Sequence, residues 1–169
     1  MIKNFLTSCS LACVGALGFV TLQVSPASAD SVISRASAFI QQQIIVAQNL
    51  GIDFGKINFS GVADILTIAP DGTITSKNGS SVVEGEVTAG GFNAAGTPNA
   101  NIIIEFKKGT LTGPGVPMEI NNFTHNAGQT ASFDTDGNLE FKVGADLNIN
   151  DSQVGGQYSG TYEVSISYP

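Results

Sequence analysis

Residues 156–169 read GQYSGTYEVSISYP, and their side chains alternate between apolar and polar. A period of two predicts a β-strand with one buried face and excludes a helix. The face predicted to be buried carries Tyr158, Gly160, Tyr162, Val164, Ile166 and Tyr168, and the other face carries Ser159, Thr161, Glu163, Ser165 and Ser167. Each large apolar residue contributes about 1.5 to 3 kcal/mol when fully buried. We therefore expect the end of the chain to be a core strand, with Tyr162, Val164 and Ile166 facing inward.

The first 29 residues have the pattern of a secretory signal peptide. Lys3 precedes an apolar run at residues 11–20, and Ala27-Ser28-Ala29 forms a small-x-small cleavage site before Asp30. This pattern predicts export followed by cleavage between Ala29 and Asp30. The apolar run is shorter than a membrane-spanning helix needs, and polar residues follow it on the cleavage side. We therefore expect no membrane span in the mature chain.

Removal of this segment restricts the chemistry open to the mature chain of residues 30–169. Both cysteines, Cys9 and Cys13, would leave with it, so we expect no disulfide, thiol nucleophile or zinc–thiolate site. The loss of Lys3 would also take the formal net charge from −7 to about −8. Nucleic acid is a disfavoured partner for so acidic a chain, because contacts to phosphates need a basic surface.

The mature chain has the composition of an all-β protein. The full sequence has 20 glycines, no tryptophan and only 12% charged residues, and the mature chain lacks a capped apolar stripe with a helical period. Turn signals separate its apolar runs, at Asp71-Gly72, Asn78-Gly79, Gly113-Pro114-Gly115 and Asp136-Gly137. Strands are predicted at residues 39–46, 65–69, 82–87, 101–106, 116–120, 139–143, 147–149 and 158–168. We expect an antiparallel sandwich of about seven to nine strands over residues 39–169, preceded by a leader at residues 30–38.

Four stretches resemble the bacterial domain-of-unknown-function family 4402. They are IDFGKI at residues 52–57, LTIAPDG at 66–72, LEFKVG at 139–144 and GQYSGTYEV at 156–164. The ending is also similar to that of chaperone-usher fimbrial subunits and spore-coat-protein-U-like domains, which have alternating apolar residues, a penultimate aromatic residue and a glycine fourteenth from the end. Here Tyr168 is penultimate and Gly156 is fourteenth. This resemblance implies an immunoglobulin-like, pilin-like sandwich with no established activity.

The resemblance also implies partners. In the similar systems a periplasmic chaperone holds the last strand, an usher exports the subunit, and the leader of a neighbouring subunit later lies beside that strand. This is strand addition, in which backbone hydrogen bonds give affinity and alternate side chains fill pockets. The leader carries Val32, Ser34, Ala36, Ala38 and Ile40 on one phase, so Val32, Ala36 and Ala38 are the predicted donor residues. The alternative is a disordered terminus or an extension of the first strand.

Catalytic, cofactor and metal sites are not predicted. His125, the only histidine, is predicted to lie in a loop without a nucleophile beside it. Residues 156–160 do not form a nucleophile elbow, because the serine is misplaced. Residues 134–138 have alternating oxygen ligands, but Leu139 and Ala145 replace the glycine and the acidic residue of a calcium-binding EF-hand loop. A hairpin turn between Phe133 and Leu139 is the favoured interpretation.

Two functions fit the sequence. The first is a secreted, non-enzymatic structural subunit that passes through the periplasm and assembles by strand exchange at the cell surface or in a fimbrium, as a homopolymer or with other subunits. The second is a monomeric secreted binding module, in which a Gly-, Ala- and Asn-rich loop at residues 88–100 contacts a glycan or a host protein. The two differ in the leader, which enters another chain in the first case and pairs within its own sheet in the second.

Overall fold

The computed structural model describes residues 32–169. The predicted signal peptide and its cleavage site at Ala29 and Asp30 lie outside the described residues. The chain divides into one unit that ends at Ala38 and a second unit, Phe39–Pro169. In the described part of the first unit, residues 32–38 have no regular secondary structure and all their side chains are exposed.

The second unit is built from β-strands that pair only in antiparallel fashion. Residues 32–169 contain no helix, and so none that could cross a membrane. The prediction of an all-β antiparallel sandwich is confirmed, with ten strands in place of the predicted seven to nine. The strands are β1 (Ile45–Leu50), β2 (Lys56–Phe59), β3 (Asp64–Ile68), β4 (Ile74–Ser76), β5 (Ser81–Glu84), β6 (Gly90–Ala95), β7 (Ile103–Thr112), β8 (Met118–His125), β9 (Asn138–Ile149) and β10 (Ser159–Ser167).

The main sheet has the order β1-β6-β9-β8-β7-β10, and β2 and β5 form a separate ribbon. Its central strand, β9, has 12 residues and pairs with β6 through its first half and with β3 through its second. The sequence predicts two strands here, at residues 139–143 and 147–149. They are one strand because Gly144 leaves room for the backbone carbonyl of Ile68, against which a side chain would clash.

The first strand begins later than predicted. Residues 39–44 were expected to be part of it, but β1 starts at Ile45, and Phe39 and Ile40 are 79% and 88% exposed. The reason is the length of the neighbouring strand. Ile45 pairs with Ala95, the last residue of β6, so the residues before Ile45 have no strand beside them.

The predicted surface loop at residues 88–100 is wrong in its central part. It contains β6, which lies between β1 and β9 and is mostly buried. Its glycines allow close packing: a β-carbon on Gly90 would lie 2.8 Å from the Tyr162 hydroxyl, and one on Gly91 would lie 2.9 Å from the side-chain oxygen of Asn49. The glycine content of this stretch predicts a loop. In the structure, however, the glycines lie in a strand, where the lack of a side chain lets other strands approach closely.

Aromatic rings fill the centre of the sandwich. Phe92 stacks on Phe141 with ring centroids 5.4 Å apart, and Phe123 stacks on Tyr162 at 5.0 Å and on Phe106 at 5.3 Å. These five rings come from β6, β7, β8, β9 and β10, so all five of these strands of the main sheet contribute to one aromatic core. Phe141 is 1% exposed, and Val143 beside it on the inward phase is fully buried.

Candidate functional site

The two strands that end the main sheet, β1 and β10, are each paired on one side only. β1 pairs with β6, β10 pairs with β7, and neither has a second partner within residues 32–169. Both nevertheless lie beside the same core. Ile44, before β1, packs on the cluster that includes Ile166 and Tyr168, and Ile52, after β1, packs on the cluster that includes Tyr162. We call the space between the unpaired edges of β1 and β10 the seam.

β10 presents alternate side chains to the core. Tyr162, Val164 and Ile166 are half-buried and pack on the cluster of Phe92, Phe141 and Val143. Thr161, Glu163 and Ser165 are exposed, and Glu163 pairs with Lys107 of β7 at 2.7 Å. An exposed ion pair of this kind adds little stability. The inward face of β10 is therefore apolar and the outward face is solvated.

The core is incompletely covered along the seam. Every residue of β1 is exposed, including Val46, which faces inward opposite the buried Ala94 and is 37% exposed, and the inward residues of β10 are only partly buried. On β9, which has neighbours on both sides, the inward residues Phe141 and Val143 are buried. Leu111 on β7 and Phe123 on β8, strands with partners on both sides, are also only partly buried, so the seam is distinguished by its unpaired backbone edges rather than by side-chain burial alone.

The seam widens into a groove of about 1030 Å³ at the start of β10. One wall is the segment at residues 52–59 and the other is residues 153–160, which include Gly156 and Tyr158. The floor is apolar and is formed by Leu111, Met118, Leu147 and Ile149. The Tyr158 hydroxyl donates to the Val154 carbonyl at 2.7 Å, which fixes the second wall.

The seam closes at its other end through three residues, Gln42, Thr97 and Tyr168, which we call the latch. The backbone N–H of Thr97 donates to the Tyr168 hydroxyl at 2.8 Å, and that hydroxyl donates to the Gln42 carbonyl at 2.8 Å. The backbone N–H of Gln42 donates to the Thr97 hydroxyl at 2.7 Å. Both backbone groups of Gln42 are therefore bound. Sequence reasoning selected Tyr168 as the penultimate aromatic residue but gave no indication of this network.

The Tyr162 hydroxyl lies midway along the seam and is buried. It has no hydrogen-bond partner among residues 32–169. Burial raises the pKa of Tyr162 to about 12, because the phenolate would be poorly solvated there. The group is thus a neutral donor at physiological pH.

The positions considered for catalysis and metal binding are His125 and the turn at residues 134–138. His125 is the last residue of β8, not part of a loop, and its ring packs between Phe106 and Phe141. The Asp134 carboxylate accepts the backbone N–H groups of Asp136 and Asn138, at 2.9 and 2.7 Å, in the predicted turn. Within residues 32–169, no group of three or more His, Cys, Asp or Glu side chains is placed to hold a metal ion.

A buried carboxylate, Asp64, joins β3 to β4 and to the turn after β4. One oxygen accepts the backbone N–H groups of Ile65 and Asn78 at 2.8 and 3.0 Å, and the other accepts the Ser76 hydroxyl at 2.5 Å. Burial alone would raise the pKa of Asp64, but these hydrogen bonds outweigh it and hold the pKa well below its usual range. Asp64 has the environment of a structural group, since all its partners belong to β3, β4 and the turn after β4.

Replacing Asp64 with Asn should lower the free energy of unfolding by about 2 to 3 kcal/mol at pH 7, because the neutral amide oxygen accepts the backbone N–H groups more weakly than a carboxylate and the amide nitrogen would face the hydroxyl donor of Ser76. A carboxylate with a lowered folded-state pKa stabilises the fold above its ordinary value of 3.8, and this contribution is lost as the pH falls below that value. Urea unfolding at pH 7, 5 and 3 should show the difference between wild type and Asp64→Asn shrinking toward pH 3. A difference that stays constant with pH would contradict this role. The matched control is the exposed Asp71→Asn, which should cost less.

The fold and the seam together define the class of the protein: an antiparallel β-sandwich whose core is left open between its first and last strands. The model of a domain of unknown function, DUF4402, matches residues 44–168. The chain therefore belongs to the DUF4402 family. The match excludes residues 32–38, where the predicted donor residues Val32, Ala36 and Ala38 are all exposed. A search of curated proteins and a search of solved structures each found no match.

Proposed function

We propose that this chain is a secreted, non-enzymatic structural subunit of a fimbria-like assembly, which forms by strand exchange at the bacterial surface. The observation that carries the proposal is the seam. Within residues 32–169, β1 and β10 each have one backbone edge that pairs with no other strand. The inward side chains of these two strands are exposed or only partly buried. An unpaired edge with an apolar face is a template for another strand, and an added strand would supply both backbone hydrogen bonds and side chains.

The leader has the properties needed to supply that strand. Residues 32–38 are exposed and have no regular structure, so no strand pairing within the described chain would have to be broken. Val32, Ser34, Ala36 and Ala38 alternate on one phase. The middle of the seam has little space. The Tyr162 hydroxyl and the Ile52 side chain both lie about 3 Å from the position that a β-carbon on Gly90 would take. Small side chains therefore suit an added strand at this point.

The proposal includes transient partners. Before assembly, an open seam exposes apolar side chains that favour aggregation. A periplasmic chaperone that adds a strand beside β10 would cover them, and an usher would then deliver the subunit to the growing polymer. These two partners rest on the similarity of residues 156–169 to fimbrial subunits.

A monomeric binding module is the second candidate function. The loop at residues 88–100 that was predicted to bind the ligand is not a loop in its central part, because residues 90–95 form a mostly buried strand. The observation that favours it is the groove, which is wide enough for a ligand and has an apolar floor. In this case the groove would bind a glycan or a host protein without adding a strand.

Deletion of residues 30–38 tests the proposal. The full-length exported protein should sediment as a series of polymers, and the deleted protein should sediment as a monomer, because it lacks the donor strand. Circular dichroism should show the same β content for both. A matched control of full length is the Ala36→Asp, Ala38→Asp variant, which should behave as the deletion does. If both proteins sediment as the same monomer and protease removes the leader freely, strand exchange is wrong and the binding module is favoured.

A further inference from the structure

We propose that the latch of Gln42, Thr97 and Tyr168 keeps the leader out of its own seam, so that the seam is filled by the leader of a second copy of this chain. This inference rests on the proposed function, because it names the partner that completes the seam. It follows from the topology of the sheet, the bonds of the latch and the sequence between the leader and β1.

The topology fixes the path that a leader would need in order to reach its own seam. Five antiparallel pairings separate β1 from β10, so these two strands run in opposite directions. The leader is joined to the start of β1, which lies at the latch end of the seam. To lie beside β1 in the same seam, it would have to form a hairpin with β1 and reverse its direction within residues 39–44.

The latch prevents that reversal. Gln42 lies in the middle of the segment that would turn, and both its N–H and its carbonyl are bound, to Thr97 and Tyr168. Only three residues, Phe39, Ile40 and Gln41, remain between the leader and this fixed point. A tight reversal requires residues such as Gly, Pro, Asn or Asp, and the sequence from 39 to 43 is FIQQQ. The chain thus lacks the residue types that favour a tight hairpin at this point, and the bound backbone of Gln42 restricts where a turn could form.

The occupant proposed for the seam is the leader of a second copy, because each copy of the chain carries such a segment. Each copy has one leader that its latch would bar from its own seam, and one seam in which β1 and β10 have no second partner within residues 32–169. A leader from a second copy needs no reversal, since it enters the seam as a separate segment. Its inward phase would place Ser34, Ala36 and Ala38 along the middle of the seam. The residues of the other phase, Ile33, Arg35 and Ser37, would then face outward.

Disulfide trapping can test this, because both cysteines lie within residues 1–29 and the mature chain would have none. Ala36→Cys is combined with Tyr162→Cys, Val164→Cys or Ile166→Cys, either in one chain or in two chains mixed together. With the latch intact, at least one pair should cross-link between chains, both in the mixture and in the double variant. Ser37→Cys, one residue along on the opposite phase, is the matched control and should cross-link far less.

The latch itself is tested by Tyr168→Phe in the double-cysteine chain. Phenylalanine keeps the packing of the ring on Phe133 but removes the hydroxyl that binds Gln42. A hydrogen bond is worth about 1 kcal/mol, so the fraction of chains cross-linked internally should rise about fivefold. Non-reducing electrophoresis at high dilution separates such closed monomers from cross-linked dimers.

Each other outcome overturns a defined part of the account. Closed monomers that outnumber the cross-linked dimers with the latch intact would show that the leader mainly fills its own seam, which contradicts this inference. Polymers without any cross-link at position 36 would show that another strand fills the seam, which contradicts this inference and leaves assembly intact. An unchanged closed fraction in Tyr168→Phe would remove the role of the latch. Monomers without cross-links in every combination would contradict the proposed function as well.

Discussion

Replacing Val164 with Asp should lower the free energy of unfolding by about 3 kcal/mol, because it places a carboxylate in an apolar cluster without a partner. Val164 lies opposite Phe106 of β7 and packs against the cluster of Phe92, Phe141 and Val143. A domain of this size has a total stability of about 5 to 15 kcal/mol. We therefore expect a large drop in the yield of folded protein. Urea unfolding of the purified variant should show the loss in the free energy of unfolding.

The matched control carries the same charge one residue along the strand. Ser165 is exposed and lies opposite Glu105, so Ser165→Asp should cost at most about 1 kcal/mol from like-charge repulsion. The contrast between the two variants depends on the register of β10, since a shift of one residue would exchange their effects. Equal losses in Val164→Asp and Ser165→Asp would contradict the assignment of the inward face.

The all-β class and the last strand could be predicted because their causes are local. Alternation over residues 158–168 is set by neighbouring residues, and β10 occupies residues 159–167. The turns at Gly72, Gly79 and Gly137 could be predicted for the same reason, because turn signals are also local. All three glycines have positive φ angles, which glycine adopts without steric cost.

The strands that were missed or misplaced depend on residues distant in sequence. β6 contains Gly90 and Gly91 because Tyr162 and Asn49 pack against them, and no local pattern indicates those contacts. The start of β1 depends on where β6 ends. β9 joins two predicted strands because Gly144 meets β3, which lies more than 70 residues earlier in the chain.

The candidate site was predictable only along one edge. The alternation of residues 158–168 indicated that the last strand borders a core, and the structure places Tyr162, Val164 and Ile166 along the seam. The groove could not be predicted, because its walls come from residues 52–59 and 153–160. The latch could not be predicted either, since Gln42, Thr97 and Tyr168 are far apart in sequence and each of these three bonds involves a backbone group that carries no sequence signal.

Filling the seam should stabilise the domain strongly. Tyr162, Val164 and Ile166 are partly exposed along β10, and Val46, which faces inward on β1, is 37% exposed. An added strand would remove much of this apolar surface from water, at about 25 cal/mol for each Å². It would also pair backbone groups on both edges. A ligand present at about 100 times its dissociation constant adds about 2.7 kcal/mol of stability, which corresponds to a rise in melting temperature of about 10 °C for a domain of this size.

The central claim, that the seam is an acceptor for an added strand, is tested most directly by adding a synthetic peptide of residues 30–40 to the chain that lacks residues 30–38. Calorimetry should show a saturable rise in melting temperature of about 10 °C, and hydrogen exchange should show slower exchange of the β10 amides. The same peptide with Asp in place of Ala36 and Ala38 should have little effect. A melting temperature and a β10 exchange rate that both stay unchanged at saturating peptide would contradict the account.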